Sequence, residues 1–272
     1  MNILSLFDGI SCGQIAINRA NIQIDNYFAS EIDKFAIQVT QHNYPNTIQL
    51  GDIQNYKSWQ LPKIDLIMGG SPCQGFSFAG KQMNFNDPRS KLFFRFVDCL
   101  EYFQPKYFLL ENVKMKKEYQ DVITNLLKVE PMEINSALVS AQSRKRLYWF
   151  NWKVDQPKDK GILLKDILET NHKLLKKYKV KRTPSRETMW GGKCKNITNE
   201  SKSSCLVTKM DRWNNVGLLQ FEDFCRFLTP IECERLQTIP DDYTIFVIDS
   251  QRYKMLGNGW TVDVIVHILK GI

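Results

Sequence analysis

The fold is decided by the stretch Asp65-Leu66-Ile67-Met68-Gly69-Gly70-Ser71-Pro72-Cys73-Gln74-Gly75-Phe76-Ser77. Its apolar first half predicts a buried strand, and the glycines and Ser-Pro that follow predict a tight turn. A buried strand that opens into such a turn usually delivers its last side chains to the edge of an α/β sheet, where ligands bind. We therefore interpret Cys73 as a nucleophile at that edge. The alternative is a small buried apolar residue, the common fate of a free cysteine.

The bulk composition narrows the class of protein. The chain has 272 residues and is 43% hydrophobic with six tryptophans, enough for one large domain or for one domain plus a small appendage. We expect neither a signal peptide nor a membrane span, because no apolar run approaches the roughly 20 residues that a span needs. Seven cysteines without a CxxC pair argue against a disulfide framework, and the three histidines argue against a metal site. We expect a reducing cytoplasmic compartment.

The positive charge is concentrated in one segment. The net charge is +8, and residues 153–225 carry 16 Lys and Arg against 9 Asp and Glu. A local excess of this kind is typical of a surface that meets phosphates. The densest part, Lys173–Arg182, fits a solvated lysine-rich face equally well.

Glycines or acids follow each of the first three predicted strands. Residues 2–7 predict a strand, and the small residues of Asp8–Gly13 predict a turn before a helix. A second strand, Tyr27–Ser30, ends at Glu31, about 20 residues after that turn, where nucleotide-binding folds place a carboxylate that binds ribose hydroxyls. Gly51-Asp52 marks a third strand end. Together the three ends predict a nucleoside-type ligand across the edge of the sheet.

A second group of polar residues follows the later strands. Residues 64–70 predict the fourth strand, and Glu111 stands at the end of an apolar fifth strand over 107–110. Glu111 and Cys73 should therefore share one edge of the sheet. The remaining predicted elements of this region are helices over 92–103 and 117–128 and strands over 134–139 and 147–150.

Two arginines precede the last of these strands. Alternation in an extended segment predicts Gln142, Arg144 and Arg146 on one face. Arginines are costly to bury without an acceptor. Either an anion or a polar base lies near them, or they are exposed.

The composition changes near Lys153. The basic segment that follows has little apolar periodicity and interleaves tryptophans with cations, which suits DNA recognition by a loop-rich module, although a poorly packed surface appendage is the alternative. Thr229-Pro230-Ile231-Glu232 then predicts a capping box that starts a short helix. Leu256–Trp260 predicts a turn, and Thr261–Leu269 an apolar helix.

These motifs, taken together, resemble those of the DNA cytosine-C5 methyltransferases, and they run in that family's order. The matching residues are Phe7-Asp8-Gly9, Glu31, Gly51-Asp52-Ile53, Ser71-Pro72-Cys73-Gln74, Glu111-Asn112-Val113, Gln142-Ser143-Arg144-Lys145-Arg146, Arg226–Gln237 and Gly257-Asn258-Gly259. Two features depart from many relatives: the first turn reads Gly-Ile-Ser-Cys-Gly, and Trp260 replaces a small or aliphatic residue. Both are more like the mammalian de novo enzymes of the family.

The resemblance implies a Rossmann-like α/β methyltransferase fold with a mostly parallel seven-stranded sheet and a smaller, loop-rich DNA-recognition domain. Residues 1–152 and 252–272 would form the catalytic domain, and residues 153–251 the recognition domain. S-adenosyl-L-methionine would be the methyl donor and S-adenosyl-L-homocysteine the product. No metal is expected.

The resemblance also implies three sets of site residues. The catalytic set is Cys73, Glu111, Arg144 and Arg146. The cofactor set is Phe7, Asp8, Gly9, Ile10, Glu31, Ile32, Asp52, Ile53, Ser71, Pro72, Leu92, Asn258 and Trp260. The DNA-binding set is Gln74, Ser77, Lys81, Arg89, Gln142, Arg186, Lys193, Lys209 and Arg212.

The implied substrate is double-stranded DNA, and a cognate restriction endonuclease is a candidate partner for what we expect to be a monomer in a bacterial or phage-infected cell. Three alternatives stay open: a methyltransferase acting on cytosine in tRNA, a catalytically silent DNA-binding relative, and a nucleotide-dependent oxidoreductase. The silent relative requires loss of Cys73, Glu111 or the arginines, which are all present. The oxidoreductase leaves Cys73 and the basic segment unexplained.

Overall fold

The computed structural model describes residues 1–71, 91–170, 175–181, 195–209, 216–221 and 224–272. The chain divides into two compact units. The first unit comprises Met1–Asn135, Lys145–Gln156 and Ile265–Ile272, and the second comprises Ser136–Arg144 and Pro157–Val264. These bounds differ from those of the predicted domains, whose functional division stays a prediction. Among the described residues, no helix is long and apolar enough to cross a membrane.

The first unit is built on a seven-stranded sheet. Its strands are β1 (Asn2–Leu6), β2 (Asn26–Ser30), β3 (Ile48–Gln49), β4 (Leu66–Gly70), β5 (Tyr107–Val113), β6 (Met132–Asn135) and β7 (Lys145–Phe150). Their order across the sheet is β3-β2-β1-β4-β5-β7-β6. The pairs from β3 to β5 are parallel, and β7 is antiparallel to both β5 and β6. The predicted seven-stranded, mostly parallel sheet is confirmed.

Helices connect the parallel strands, as a parallel sheet requires. They are α1 (Cys12–Arg19), α2 (Lys34–Asn43), α3 (Lys91–Phe103) and α4 (Lys117–Leu127). Leu66, Ile67 and Met68 of β4 are all 0% exposed, because a central parallel strand is covered on both faces. An ideal Cβ at Gly69 would lie 2.7 Å from the Leu6 carbonyl oxygen, so glycine permits the close approach of β4 to β1 at that point.

The second unit contains a small antiparallel sheet and short helices. Its elements are α5 (Leu164–Ile167), β8 (Lys179–Lys181), β9 (Leu219–Gln220), β10 (Phe224–Arg226), α6 (Pro230–Leu236) and α7 (Asp249–Asn258). Strand β10 lies between β8 and β9. A last helix, α8 (Val262–Leu269), begins in the second unit and ends in the first.

The predicted capping box at the start of α6 is confirmed. The Glu232 N–H donates to Thr229 Oγ1 (3.1 Å), and the Thr229 N–H donates to Glu232 Oε2 (2.8 Å). Glu232 is fully buried and also accepts two hydrogen bonds of 2.7 Å from the Arg226 guanidinium. The pairing offsets much of the cost of burying both charges.

Two local predictions are wrong. The strand predicted over 134–139 is β6, Met132–Asn135, followed by a 3₁₀ turn at Ser136–Leu138, because the Val139 and Ser140 N–H groups turn back onto the Ser136 carbonyl. The turn predicted over Leu256–Trp260 is the end of α7, which continues through Asn258.

Candidate active site

The ends of β1, β2 and β3 meet at one edge of the sheet. The Asp8 N–H donates to the Ser30 carbonyl (3.2 Å), the Leu50 N–H donates to the Ala29 carbonyl (2.8 Å), and the Ser30 hydroxyl donates to the Gly51 carbonyl (2.7 Å). The three strand ends that the sequence singles out are therefore neighbours, as predicted.

Glu31 holds the backbone of this edge in place. Its Oε2 accepts the Gly9 N–H (2.8 Å), while its Oε1 accepts the N–H groups of Ile32 (2.7 Å) and Asp33 (2.8 Å). Glu31 thus links the loop after β1 to the start of α2.

Open space lies beside the backbone here. Gly9 (φ 60) and Gly51 (φ 72) have left-handed conformations, and an ideal Cβ on either would meet nothing within 4 Å. Phe7 (φ 57) and Ser11 (φ 57) are also left-handed, which is uncommon outside glycine. Ile32 beside them is 73% exposed. Open space beside glycine backbone, a carboxylate and an exposed apolar side chain suit a ligand with a flat ring and hydroxyl groups.

The other predicted cofactor residues lie in varied settings. Phe7 and Leu92 pack partly against the core, and Ile10 and Ile53 are buried in it. Asp52 caps the 3₁₀ helix Ile53–Ser58 by accepting the Gln54 N–H (3.0 Å). In the second unit Asn258 is exposed and Trp260 is buried, and their cofactor contacts stay predictions.

Asp8 is part of the loop after β1. Its Oδ1 accepts the Tyr27 hydroxyl (2.8 Å), and its Oδ2 accepts the Ser11 hydroxyl. Burial of the carboxyl group raises the pKa of Asp8 to about 6, although hydrogen bonds from Ser11, Ser5 and Tyr27 act in the opposite direction. Asp8 therefore titrates close to neutral pH.

A second polar group lies where β5 pairs with β4 and β7. Gly70 of β4 is in register with Glu111 of β5, and Arg146 of β7 is in register with Val113. Arg146 Nε lies 3.0 Å from Glu111 Oε1, with side chains only 14% and 11% exposed. Glu111 and Arg146, which the family resemblance assigns to one catalytic set, are brought together.

Asn112 is a member of this group that the sequence-based assignment did not include. Its side-chain amide donates to Ser71 Oγ (3.0 Å), and its own Oδ1 accepts the Val113 N–H (2.8 Å). Asn112 is 1% exposed and Ser71 4%. The available signal was its position next to Glu111, just after the apolar run 107–110. Asn112 thus holds Ser71, the residue that precedes Pro72 and Cys73 in the sequence.

The prediction that Gln142 and Arg144 lie on one face with Arg146 is wrong. Strand β7 begins only at Lys145, so the alternation does not extend back to them. Gln142 is 0% exposed, and its amide oxygen accepts the Leu206 N–H (2.7 Å). The assignment of Gln142 to DNA binding is therefore corrected to a structural role, because a fully buried side chain offers DNA no surface.

Several predicted residues lie outside the described residues, including the proposed nucleophile. They are Pro72, Cys73, Gln74, Ser77, Lys81, Arg89, Arg186, Lys193 and Arg212. Lys209 is described and exposed. Within the described part of the chain, no group of three or more His, Cys, Asp or Glu residues is arranged to hold a metal ion.

The raised pKa of Asp8 predicts how stability depends on pH. The folded-state pKa of about 6 lies above the ordinary value of 3.8, so protonated Asp8 favours the folded state and this contribution is lost as pH rises through about 6. In urea unfolding, Asp8→Asn should remove that loss. Between pH 4 and pH 8, the free energy of unfolding of the variant should rise relative to that of the wild type by no more than about 3 kcal/mol.

Tyr27→Phe provides a second test of the same cluster. Removing the donor to Asp8 should raise the Asp8 pKa further and move the loss of stability to higher pH. Parallel stability profiles for the wild type and Asp8→Asn would contradict this assignment.

Comparison with known proteins identifies the family of the chain. The model of the C-5 cytosine-specific DNA methylase family matches residues 1–221 and 222–272. Type II methyltransferase M1.ScrFI of Lactococcus lactis subsp. cremoris is 29% identical over 97% of this chain and 75% of its own length. Type II methyltransferase M.NlaX of Neisseria lactamica is 31% identical over 97% of this chain and 93% of its own.

Solved structures show the same fold. The Dnmt2 methyltransferase of S. pombe superimposes with a TM-score of 0.79 and 21% identity, covering 99% of this chain and 97% of that chain. The family match therefore spans both units, and the predicted fold class is confirmed. The chain belongs to the C-5 cytosine-specific DNA methylase family.

Proposed function

We propose that this protein transfers a methyl group from S-adenosyl-L-methionine to C5 of a cytosine flipped out of duplex DNA, through a transient bond between Cys73 and C6. The observation that carries the proposal is the nearly buried Glu111–Arg146 pair at 3.0 Å. Glu111 lies on β5, next to the strand that leads to Cys73, and Arg146 lies on β7, on the far side of β5. A cytosine edge presents an amino group, a ring nitrogen and a carbonyl, which such a pair can recognise.

The edge formed by β1, β2 and β3 suits the adenosine part of the cofactor. Glu31 would bind the ribose, Phe7 would stack on the adenine, and Asp52 with Ile53 would meet the adenine. The open space at Gly9 and Gly51 and the exposed Ile32 support this fit. When bound, S-adenosyl-L-methionine supplies an electrophilic methyl group for C5.

The remaining chemistry is assigned to residues of the chain. C5 of cytosine is a poor nucleophile, and addition of the Cys73 thiolate at C6 makes it enamine-like. Glu111 would hold the N3/N4 edge and stabilise charge during this addition. A guanidinium has five N–H donors, so Arg146 can hold Glu111 and also donate to O2. After methylation a base, for which water is a candidate, removes the C5 proton, and the electron pair expels the Cys73 thiolate.

The DNA substrate is supported by charge and by chemistry. Residues 153–225, with 16 Lys and Arg against 9 Asp and Glu, carry most of the chain's net charge of +8, which suits a surface that binds phosphates. The reacting carbons lie inside the base stack, so the cytosine must be extruded at a cost of a few kcal/mol. A cognate endonuclease, a monomeric state and a cytoplasmic location belong to the same proposal.

Methyl incorporation into two nucleic acids tests the proposed function. With labelled S-adenosyl-L-methionine, cytosine-containing duplex DNA should be methylated and tRNA should not. Cys73→Ala should abolish transfer, because the nucleophile is lost, while leaving cofactor binding nearly intact. Methylation of tRNA alone would favour the alternative substrate, and ordinary turnover by Cys73→Ala would overturn the nucleophile assignment.

The role of Glu111 predicts a separate rate effect. Glu111→Gln should lower the single-turnover rate by about a hundredfold or more, because a neutral amide cannot stabilise the developing charge in the same way. Glu133→Gln is a matched control, since Glu133 lies on β6 of the same sheet and pairs with Lys114 at the surface. A near-normal rate for Glu111→Gln, or an equal loss in the control, would argue against the assignment.

A further inference from the structure

Arg144 is a buried cation that spans two chain segments. It is 4% exposed. Its Nη1 donates to the Leu206 carbonyl (3.2 Å) and lies 3.2 Å from Cys205 Sγ. Its Nη2 donates to the carbonyls of Gly257 (3.2 Å) and Gly259 (3.0 Å). One planar guanidinium thus joins segment 205–206 to the end of α7.

The carbonyls that Nη2 contacts are those of a helix end. The last carbonyls of a helix have no partner within it, and the helix dipole favours a positive charge there. Gly257 and Gly259 stand at the C-terminal end of α7, so Arg144 satisfies both requirements. Arg144 caps this helix from outside it.

Two buried glutamines complete the same network. Gln237 Nε2 donates to the carbonyls of Leu256 (2.7 Å) and Gly259 (2.9 Å). Gln142 Nε2 donates to Gln237 Oε1 (3.1 Å). Gln142 and Gln237 are both 0% exposed. We call Gln142, Arg144 and Gln237 the capping network.

Gly257 shows how closely the capped segment packs. An ideal Cβ on Gly257 would lie 2.3 Å from the Val207 carbonyl carbon and 2.5 Å from the Thr208 nitrogen. The backbone of α7 therefore lies directly against segment 207–208. A small shift of either segment would move the residues that follow Gly257, namely Asn258 and Trp260.

We propose that Arg144 is a positioning residue for the cofactor contacts of segment 258–260, rather than a residue that touches the cytosine. This inference rests on the proposed function and on the cofactor contacts of Asn258 and Trp260 that the family resemblance predicts. Arg144 acts through the carbonyls of Gly257 and Gly259. Its substitution should therefore change cofactor affinity more than the rate of the chemical step.

Arginine suits this position because its nitrogens are fixed in one plane. Nη1 and Nη2 can donate to separate segments at once, whereas the single ammonium of lysine cannot reproduce that fork. Lysine would keep the positive charge at the helix end but lose one of the two connections. Arg144→Lys should therefore have a smaller effect than Arg144→Met, which loses both charge and donors.

The test measures binding of S-adenosyl-L-homocysteine by calorimetry and DNA methylation at saturating cofactor. Arg144→Met should raise the Kd of S-adenosyl-L-homocysteine roughly tenfold or more, equivalent to about 1.4 kcal/mol per tenfold. Its kcat should fall by less than about threefold, because the groups that contact the base are unchanged. Arg144→Lys should recover part of the affinity.

Arg146→Met is the matched control, since Arg146 lies two residues away and contacts Glu111. It should show the opposite split, with kcat reduced by about a hundredfold and the Kd of S-adenosyl-L-homocysteine nearly unchanged. If Arg144→Met behaves like Arg146→Met, or if its Kd stays at the wild-type value, the inference is overturned.

Thermal unfolding of each variant separates local from global effects. If Arg144→Met does not fold, Arg144→Lys decides, because it keeps the charge and must still show the raised Kd with nearly normal kcat. A wild-type protein that binds no S-adenosyl-L-homocysteine and methylates no DNA would contradict the proposed function itself. If the wild type binds S-adenosyl-L-homocysteine and methylates DNA, but the Arg144 variants do not change Kd more than kcat, only the role of Arg144 is contradicted.

Discussion

The parallel pairing of β4 with β5 is the constraint on which the rest of the structure depends. It places Gly70 opposite Glu111, and the Asn112 amide then holds Ser71 at the end of β4. The pairing is continuous with that of β1 and β4, where Gly69 allows close approach to β1. Ser71, the residue before Pro72 and the proposed nucleophile Cys73, is therefore held by hydrogen bonding to its neighbouring strand, as preorganised catalysis requires.

Two separate groups of polar residues lie along the same edge of the sheet. On one side, Glu31 gathers three backbone N–H groups and leaves open space over Gly9 and Gly51. On the other side, β5 and β7 present the Glu111–Arg146 pair. Strand order places β4 between these groups. In the proposed reaction the methyl donor and the methyl acceptor meet between these two groups, and the arrangement supports that proposal.

The sequence predicts much of this fold because local patterns dominate it. Continuous apolar strands ending in glycines or acids define the sheet edge, and the Thr229 capping box is a local motif. Side-chain partners are less predictable, since they depend on contacts between distant segments. Alternation predicts a shared face for Gln142 and Arg146. However, β7 starts only at Lys145, and the buried Gln142 side chain accepts a hydrogen bond from the Leu206 N–H. Likewise, the sequence predicts a turn at Gly257, whereas Gly257 is part of a helix and allows it to pack closely against Val207.

The most direct test is to trap the covalent intermediate. A duplex with 5-fluorocytosine at the target position lacks the C5 proton that must leave, so the adduct cannot resolve by elimination. With S-adenosyl-L-methionine present, mass spectrometry of the digested complex should find the modified base attached to the peptide that contains Cys73. A protein that methylates ordinary cytosine yet yields no such adduct, or one attached to a different residue, would contradict the account.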